Sequence, residues 1–572
     1  MLSSSYQGDV EALQEAVHAA RICRDKLSQV RIRSGNIRSA TTGTDPESET
    51  LRTLHKLEDT MTALFVQLDE LRNRVLSPMT RLHDELLQEI FVYCVDVRVP
   101  HPNAWLQWDT FDPVILTHVC HQWRTVALNT PVLWSKITLQ AVSRSHQTLF
   151  DPWHDTILSQ DDPTFPQSRR RYNEFIRRAK TCGLRVKLNF IDETPEYERR
   201  LTNEFCRLAQ CNEIISLRLF TAKKSDDNIS TCLEFILPRL QKLEIYQVAP
   251  PLTDLDPPDQ SITCDKLLSK EWPRLRQLEF RGISLPTRVP LVHAPLPNLR
   301  TLKIILTRGV SDNISKLFKF IGLCNTSLER LDVCCGWDWQ IEPDTEMALY
   351  LPRIEQLELS LGSNPLISIL QRIRAPSLKS LGVRPTRGAE ESSAAPAVVS
   401  ALEVFIGSSR CRLETACILG ISVIAWKKLA ELSPDIRSMT VHLSTAYFSA
   451  NEEVINLTDD PLQFSKLEEI HDQSELTEQS LRMLLSFVQS RRRLFAGGAM
   501  VRPIRCISLR SAQARRAPET QQGWSAIQKE LADLIEELII GPVKWNKATG
   551  VWTQWEGSTD EEGPLAVLDH SW

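Results

Sequence analysis

Leucine and isoleucine recur along most of the chain in one pattern, Leu-x-x-Leu-x-Leu, often just after a proline. The alternation at the end of this motif predicts a short strand with one apolar face. Apolar residues at helical spacing between the copies, such as Leu317 and Ile321, predict a helix after a strand. The first aliphatic residues of the copies are Ile214, Leu240, Leu275, Leu299, Leu328, Ile354, Leu378, Leu413, Ile436 and Leu467.

These residues are 23 to 35 positions apart. The intervals surround the period of about 20–29 residues that is typical of leucine-rich repeats, which the array resembles. Strand-helix units of this size stack on their neighbours and share one core. We therefore predict an irregular α/β solenoid over residues 212–545, with residues 140–211 as a linker and its start. Most copies lack the asparagine of the repeat consensus, and an ordinary α/β sheet is the alternative.

The residues between the leucines of each motif are predicted to share the surface opposite the core, the concave face of such an array. Their mixed charge, interspersed with aromatic residues, favours a protein partner over nucleic acid, which requires a dominant basic stripe. Each of these residues taken singly also fits an ordinary solvated strand. The predicted substrate-binding set is Arg218, Phe220, Glu244, Tyr246, Glu279, Arg281, Lys303, Asp332 and Glu358.

Residues 1–76 are predicted to form N-terminal helices, the first over residues 9–32. A heptad pattern follows, whose apolar positions are Leu54, Leu57, Met61, Leu64, Leu68, Leu71 and Val75. So short a seam is marginal as an isolated coiled coil. Packing against helix 9–32 or against the next domain is favoured over dimerisation, and the sequence leaves the choice open.

Residues 77–139 form a segment dense in aliphatic residues and tryptophan, with helical spacing around Leu86 and again around Trp123. A unit of about 45–60 residues cannot bury that much apolar surface internally. Some of these side chains are therefore predicted to face a partner. His118, Cys120 and His121 resemble metal ligands, but their position within a predicted helix favours an ordinary helix surface.

The residues of this segment fall in the order of an F-box, in the form common among fungal F-box proteins, with His83 where a proline is usual. The resemblance covers about a tenth of the chain. It implies docking on a Skp-type adaptor that bridges to a cullin-RING ubiquitin ligase, while the rest of the chain selects the protein to be ubiquitinated. The adaptor-binding residues so implied are Leu82, Leu86, Leu87, Ile90, Phe91, Val119, Trp123, Leu133 and Trp134.

Composition and motifs argue against nucleic-acid binding, membrane binding and catalysis. The chain has a formal net charge of −5 and is 42% hydrophobic, which gives no general attraction to nucleic acid or to a membrane surface. No spacing typical of a nucleophile, a phosphate loop or a metal site occurs, so no catalytic residue, metal or cofactor is predicted. The cysteines are predicted to be reduced thiols. Residues 546–572 are predicted to be disordered.

The predicted fold class is α+β or α/β: N-terminal helices, a three-helix F-box and the solenoid. The predicted function is that of a non-enzymatic substrate receptor of an SCF-type ubiquitin ligase, cytoplasmic or nuclear. A leucine-rich-repeat scaffold that no longer recruits a ligase is the alternative, and an enzyme is a more distant one. The basic runs 169–171 and 491–493 are candidates for nuclear import, or simply solvated charge.

Overall fold

The computed structural model describes most of the chain between residues 82 and 554. The described ranges are 82–96, 113–140, 165–190, 195–221, 226–236, 238–247, 271–285, 296–306, 314–335, 348–385, 391–419, 423–441, 464–472, 478–509, 526–540, 543–548 and 551–554. Apart from isolated positions, the predicted helix 9–32 and heptad seam 54–75 lie outside these residues, as does the tail beyond residue 554. The chain divides into two compact units, Met1–Ser135 with Glu174–Cys182, and Lys136–Asn173 with Gly183–Trp572.

The first unit contains short helices. They are α1 (Asp84–Asp96), α2 (Pro113–Leu116), α3 (His121–Leu128) and a 3-10 helix (Pro131–Trp134). Helix α1 packs against α3 and against the 3-10 helix. The buried apolar side chains of this group are Leu87, Phe91, Leu116, Val126, Ala127, Leu133 and Trp134.

The second unit is built on a sheet of 16 strands in which β1 to β16 run parallel, and in which neighbours along the sheet follow chain order. Its parallel strands are β1 (Lys136–Gln140), β2 (Leu184–Phe190), β3 (Ile214–Thr221), β4 (Lys242–Gln247), β5 (Gln277–Arg281), β6 (Thr301–Leu306), β7 (Arg330–Cys335), β9 (Gln356–Leu361), β11 (Ser380–Pro385), β12 (Thr415–Ile418), β13 (Ser438–Val441), β14 (Glu469–Asp472), β15 (Cys506–Leu509) and β16 (Glu537–Ile540). Strands β17 (Val543–Asn546) and β18 (Val551–Gln554) extend it as an antiparallel hairpin. The short strands β8 (Leu349–Tyr350) and β10 (Ile373–Arg374) pair separately.

Helices lie between many of the successive strands, and their apolar side chains cover one face of the sheet, as where the ring of Phe320 lies 5.9 Å from that of Phe280. These helices are α4 (Phe165–Ala179), whose last turns from Glu174 belong to the first unit, α5 (Pro195–Cys211), α6 (Asp226–Ile236), α7 (Ile314–Gly322), α8 (Ser363–Arg372), α9 (Glu391–Ser409), α10 (Val423–Leu432), α11 (Glu478–Ala496) and α12 (Ala526–Leu534). The chain is thus a mixed α/β protein with a largely parallel sheet. In the described part, β1 and β18 are the edges of that sheet, so it does not close into a barrel.

A strand lies at each of the ten motif copies, and the first aliphatic residue of each copy is buried. Two further strands carry the same pattern after the ten predicted copies: Ile504, Ile507 and Leu509 at β15, and Ile535, Leu538 and Ile540 at β16. The sheet runs from β1 in residues 136–140 to β18 in residues 551–554.

Candidate functional site

The residues predicted to bind an adaptor divide into a core group and a surface group. Leu87, Phe91, Leu133 and Trp134 are at most 2% exposed, so they hold the first unit together and cannot contact a partner directly. Trp123 is half-buried, with its ring centroid 4.9 Å from that of Phe91. The surface group is Leu82, which is partly exposed, with Leu86, Ile90 and Val119.

Helix α1 carries apolar side chains on two sides. Leu87 and Phe91, four residues apart, point into the core. Leu86, Ile90 and Tyr93 follow the same helical spacing on the outer side, and these side chains are 47%, 37% and 59% exposed. A helix with only one buried side normally carries polar residues on the other, so the outer side of α1 is available for a second contact.

Ile115 and Val119 add two further exposed apolar side chains, each 53% exposed, in α2 and in the turn after it. The amide of Gln122 donates to the backbone oxygen of Leu82 at 3.3 Å and to the carboxylate of Asp84 at 3.2 Å, which ties the start of α3 to the start of α1. We call Leu86, Ile90, Tyr93, Ile115 and Val119 the apolar surface set. Tyr93 and Ile115 were not among the residues predicted to bind an adaptor. Both are large side chains that the core of the first unit does not bury.

Two other side chains of residues 113–135, Cys120 and Trp134, make structural hydrogen bonds. The Cys120 thiol caps α3 by accepting the backbone N–H of Trp123 at 3.5 Å, and His118 and His121 are exposed. The indole N–H of Trp134 donates to the oxygen of Ala127 at 2.8 Å. Across the part of the chain that is described, no group of three or more His, Cys, Asp or Glu residues could hold a metal ion.

The nine residues of the predicted substrate-binding set all lie on one face of the sheet. Strand register places six in one row, in the order Arg218, Glu244, Glu279, Lys303, Asp332 and Glu358. The other three form the adjacent row, in the order Phe220, Tyr246 and Arg281. We call this side of the sheet, opposite the buried leucines, the polar face.

Glu244 is the most enclosed acidic residue of the polar face. Its side chain is 3% exposed and pairs with the guanidinium of Arg218 on the neighbouring strand and with Lys242, whose Nζ is 2.8 Å away. Burial alone would raise the pKa of Glu244, but the two cations outweigh it and lower the pKa to about 2. Glu244 is therefore a fixed carboxylate that neutralises its neighbours.

An aromatic pair adjoins this ion network. The rings of Phe220 and Tyr246 are stacked, with centroids 4.8 Å apart and planes 8° from parallel. The Tyr246 hydroxyl donates to the carboxylate of Glu279 at 3.1 Å. Lys187 lies over the Phe220 ring at 5.4 Å and Arg218 over the Tyr246 ring at 5.9 Å. The stack thus has a cation above each ring and an acidic residue at its hydroxyl.

Asp332 occupies a different environment in the same row. Its side chain is 3% exposed, and Nζ of Lys303 lies 3.5 Å from Oδ2. Burial raises the pKa of Asp332 to about 6, because Lys303 offsets only part of the desolvation and the charge of Glu358 adds to it. Glu358 itself pairs with Arg330 at 3.2 Å.

The sequence was compared with models of protein families and with curated proteins. No model of a protein family matches the sequence, and neither does any curated protein. Among the helices of the described residues, none is long and apolar enough to cross a membrane.

Proposed function

We propose that this protein is the substrate-receptor subunit of a cullin-RING ubiquitin ligase, in which the first unit docks on a Skp-type adaptor. The observation that carries the proposal is the apolar surface set. Its five residues, which lie between positions 86 and 119, make up five of the eleven large exposed hydrophobic residues among the described positions. Apolar side chains concentrated in this way are typical of a protein interface.

The sequence of the same segment supports the choice of partner. It resembles an F-box, and F-boxes dock through aliphatic side chains presented by short helices. Leu86 and Ile90 match positions of the F-box pattern and are also exposed, so they are available to a partner. Leu87 and Phe91 match the pattern as well but form the core beneath them. The amphipathic helix α1 would lay its outer side in an apolar groove of the adaptor.

The second unit supports the receptor half of the proposal. Parallel strands that follow one another in chain order, most of them with the same leucine motif, fit an irregular leucine-rich-repeat solenoid. Such arrays present an extended surface suited to protein recognition. The polar face would be that surface, and the protein bound there would be the one ubiquitinated.

The test uses full-length protein and purified adaptor, with affinity measured by calorimetry. Replacing both Leu86 and Ile90 by Asp puts charge into an apolar contact, and we expect a loss of about 100-fold or more in affinity. Val404→Asp is the matched control, since Val404 is 45% exposed on α9 and lies outside the set. Unchanged affinity in a double variant that stays folded would reject the docking role, as would absence of adaptor and cullin from a pull-down of the wild-type protein.

A further inference from the structure

The polar face carries an excess of positive charge on its first nine parallel strands, β1 to β11. Strand register aligns 13 charged residues there. The basic residues are Lys136, Arg185, Lys187, Arg218, Lys242, Arg281, Lys303, Arg330 and Arg384, and the acidic residues are Glu244, Glu279, Asp332 and Glu358. Nine cations against four acids give these nine strands of the face a net charge of +5, in a chain whose overall charge is −5.

The acidic residues of the polar face make their contacts within the face itself. Three of the four acidic residues are already matched to cations, Glu244 to Arg218 and Lys242, Asp332 to Lys303, and Glu358 to Arg330. The fourth, Glu279, accepts a hydrogen bond from the hydroxyl of Tyr246. The acidic residues are therefore largely satisfied within the face.

Arg281 is a cation of this face that lies next to its aromatic pair. It is half-buried and lies beside Tyr246 in strand register. The side chain of Arg281 makes no hydrogen bond or ion pair with the described residues. An arginine next to aromatic residues has the composition of an interface hot spot, and its guanidinium matches the geometry of a carboxylate.

We propose that the polar face binds an acidic polypeptide segment, one rich in Asp and Glu, with Arg281 as a central carboxylate contact. The proposal rests on the proposed function in one respect: the acidic segment would belong to the protein that the ligase selects. Charge complementarity favours an acidic segment, because a surface region with a net charge of +5 attracts and orients a chain of carboxylates.

The same face is poorly arranged for nucleic acid. Acidic residues interrupt the middle row on four strands, at Glu244, Glu279, Asp332 and Glu358, so no continuous basic track follows a phosphate backbone. The rings of Phe220 and Tyr246 stack on each other, with Lys187 and Arg218 over them, and so do not offer open platforms for bases.

The experiment measures fluorescence anisotropy with full-length protein and three labelled probes of equal length: a Glu/Ser peptide, a Lys/Ser peptide and a single-stranded oligonucleotide. We expect the Glu/Ser peptide to bind most tightly and its affinity to fall as salt is raised. Arg281→Glu is expected to weaken it by about fivefold or more, and Arg281→Gln by less. Arg492→Glu, a reversal at an exposed arginine of α11, is the matched control and should have little effect.

Three results would overturn the proposal: no binding of the Glu/Ser peptide, equal or tighter binding of the Lys/Ser peptide or the oligonucleotide, or the same loss for Arg281→Glu as for Arg492→Glu. Circular dichroism and the milder Arg281→Gln variant separate a lost contact from misfolding. Adaptor affinity of the same preparations is measured in parallel. A chain that binds acidic peptide but not adaptor would refute the ligase proposal alone, and the reverse would refute this one alone.

Discussion

Leu86 and Leu87 are neighbours in the chain, yet helix α1 places them on different faces. The Leu86 side chain is 47% exposed, and Leu87 is fully buried. A step of one residue turns a helix by about 100°, so adjacent leucines serve different purposes. One belongs to the surface that we propose for docking, and the other to the core that holds this surface in shape.

This division predicts opposite effects on stability for two chemically identical substitutions. Leu87→Ala removes a fully buried side chain and is expected to destabilise the first unit by about 2–5 kcal/mol. Leu86→Ala is expected to cost less than about 0.5 kcal/mol. Hydrogen exchange of residues 84–134, followed by mass spectrometry, reports on this unit separately. Equal protection in the two variants would contradict the assignment of core and surface.

Glu244 is expected to stabilise the sheet through its two cations. Glu244→Lys would place a third cation beside Arg218 and Lys242 in a buried position, at a cost of about 3 kcal/mol or more. Glu358→Lys, at a carboxylate that is 38% exposed, should cost about 1 kcal/mol or less. Urea unfolding monitored by circular dichroism compares the two. A reversal at Glu244 that costs no more than one at Glu358 would contradict the ion network.

The buried Asp332 predicts a pH dependence of the opposite sign to that of Glu244. Because its pKa rises from 3.8 to about 6 on folding, the folded state favours the protonated form, and this contribution to stability is lost as pH rises from about 4 to 6. Asp332→Asn should therefore stabilise the sheet at pH 7.5 and remove this dependence. Melting temperatures of the wild type and variant at pH 5 and pH 7.5 test it, and a variant that is less stable at pH 7.5 would contradict it.

Arg491 is expected to be essential to the C-terminal part of the sheet. It is fully buried and donates to the backbone oxygens of Phe464, Ser465, Leu467 and Arg502 at 2.7–3.2 Å. Burial lowers its pKa to about 10, so it remains charged at neutral pH. The run 491–493 therefore presents only its last two arginines to solvent, which weakens its interpretation as a nuclear-import signal.

Removing Arg491 leaves several buried carbonyl oxygens without a donor. Arg491→Ala is therefore expected to cost about 3–5 kcal/mol, and the adjacent Arg492→Ala less than about 0.5 kcal/mol. Hydrogen exchange around residues 464–467 and 502–509 is the measurement. Unchanged protection in Arg491→Ala would show that water or neighbouring groups replace its hydrogen bonds.

His83 stands where the F-boxes that this segment resembles usually have a proline, and we expect it to lower the affinity for the proposed adaptor slightly. The His83 oxygen accepts the N–H of Leu87 at 3.1 Å and so begins the hydrogen bonding of α1. A proline keeps that oxygen and restricts the unfolded chain, so His83→Pro is expected to stabilise α1 by about 0.4–1 kcal/mol. Calorimetry should then show equal or higher adaptor affinity. Lower affinity in this variant would mean that the histidine side chain itself contacts the adaptor.

Much of the sheet could be predicted from the sequence because its signal is local. The leucine motif specifies a strand within six residues, and the structure has a strand at each of the ten copies. Strands β1 and β2 lie before the first of these copies, and strands β15 and β16 lie after the last. The placement of the nine polar-face residues in two adjacent rows followed from the same motif, since parallel stacking aligns equivalent positions.

What the sequence by itself determined about this protein is therefore the periodicity: where leucines alternate, and which residues lie between them. Only the tertiary structure decided which apolar residues of the first unit are core, because that depends on the packing of α3 and the 3-10 helix against α1. It alone also joined Glu244 to Arg218, which lies 26 residues earlier in the chain. Ion pairing between side chains on neighbouring strands depends on the strand register and on the distance between the charged atoms. The connections between strands differ in length, so neither quantity can be read from the sequence alone.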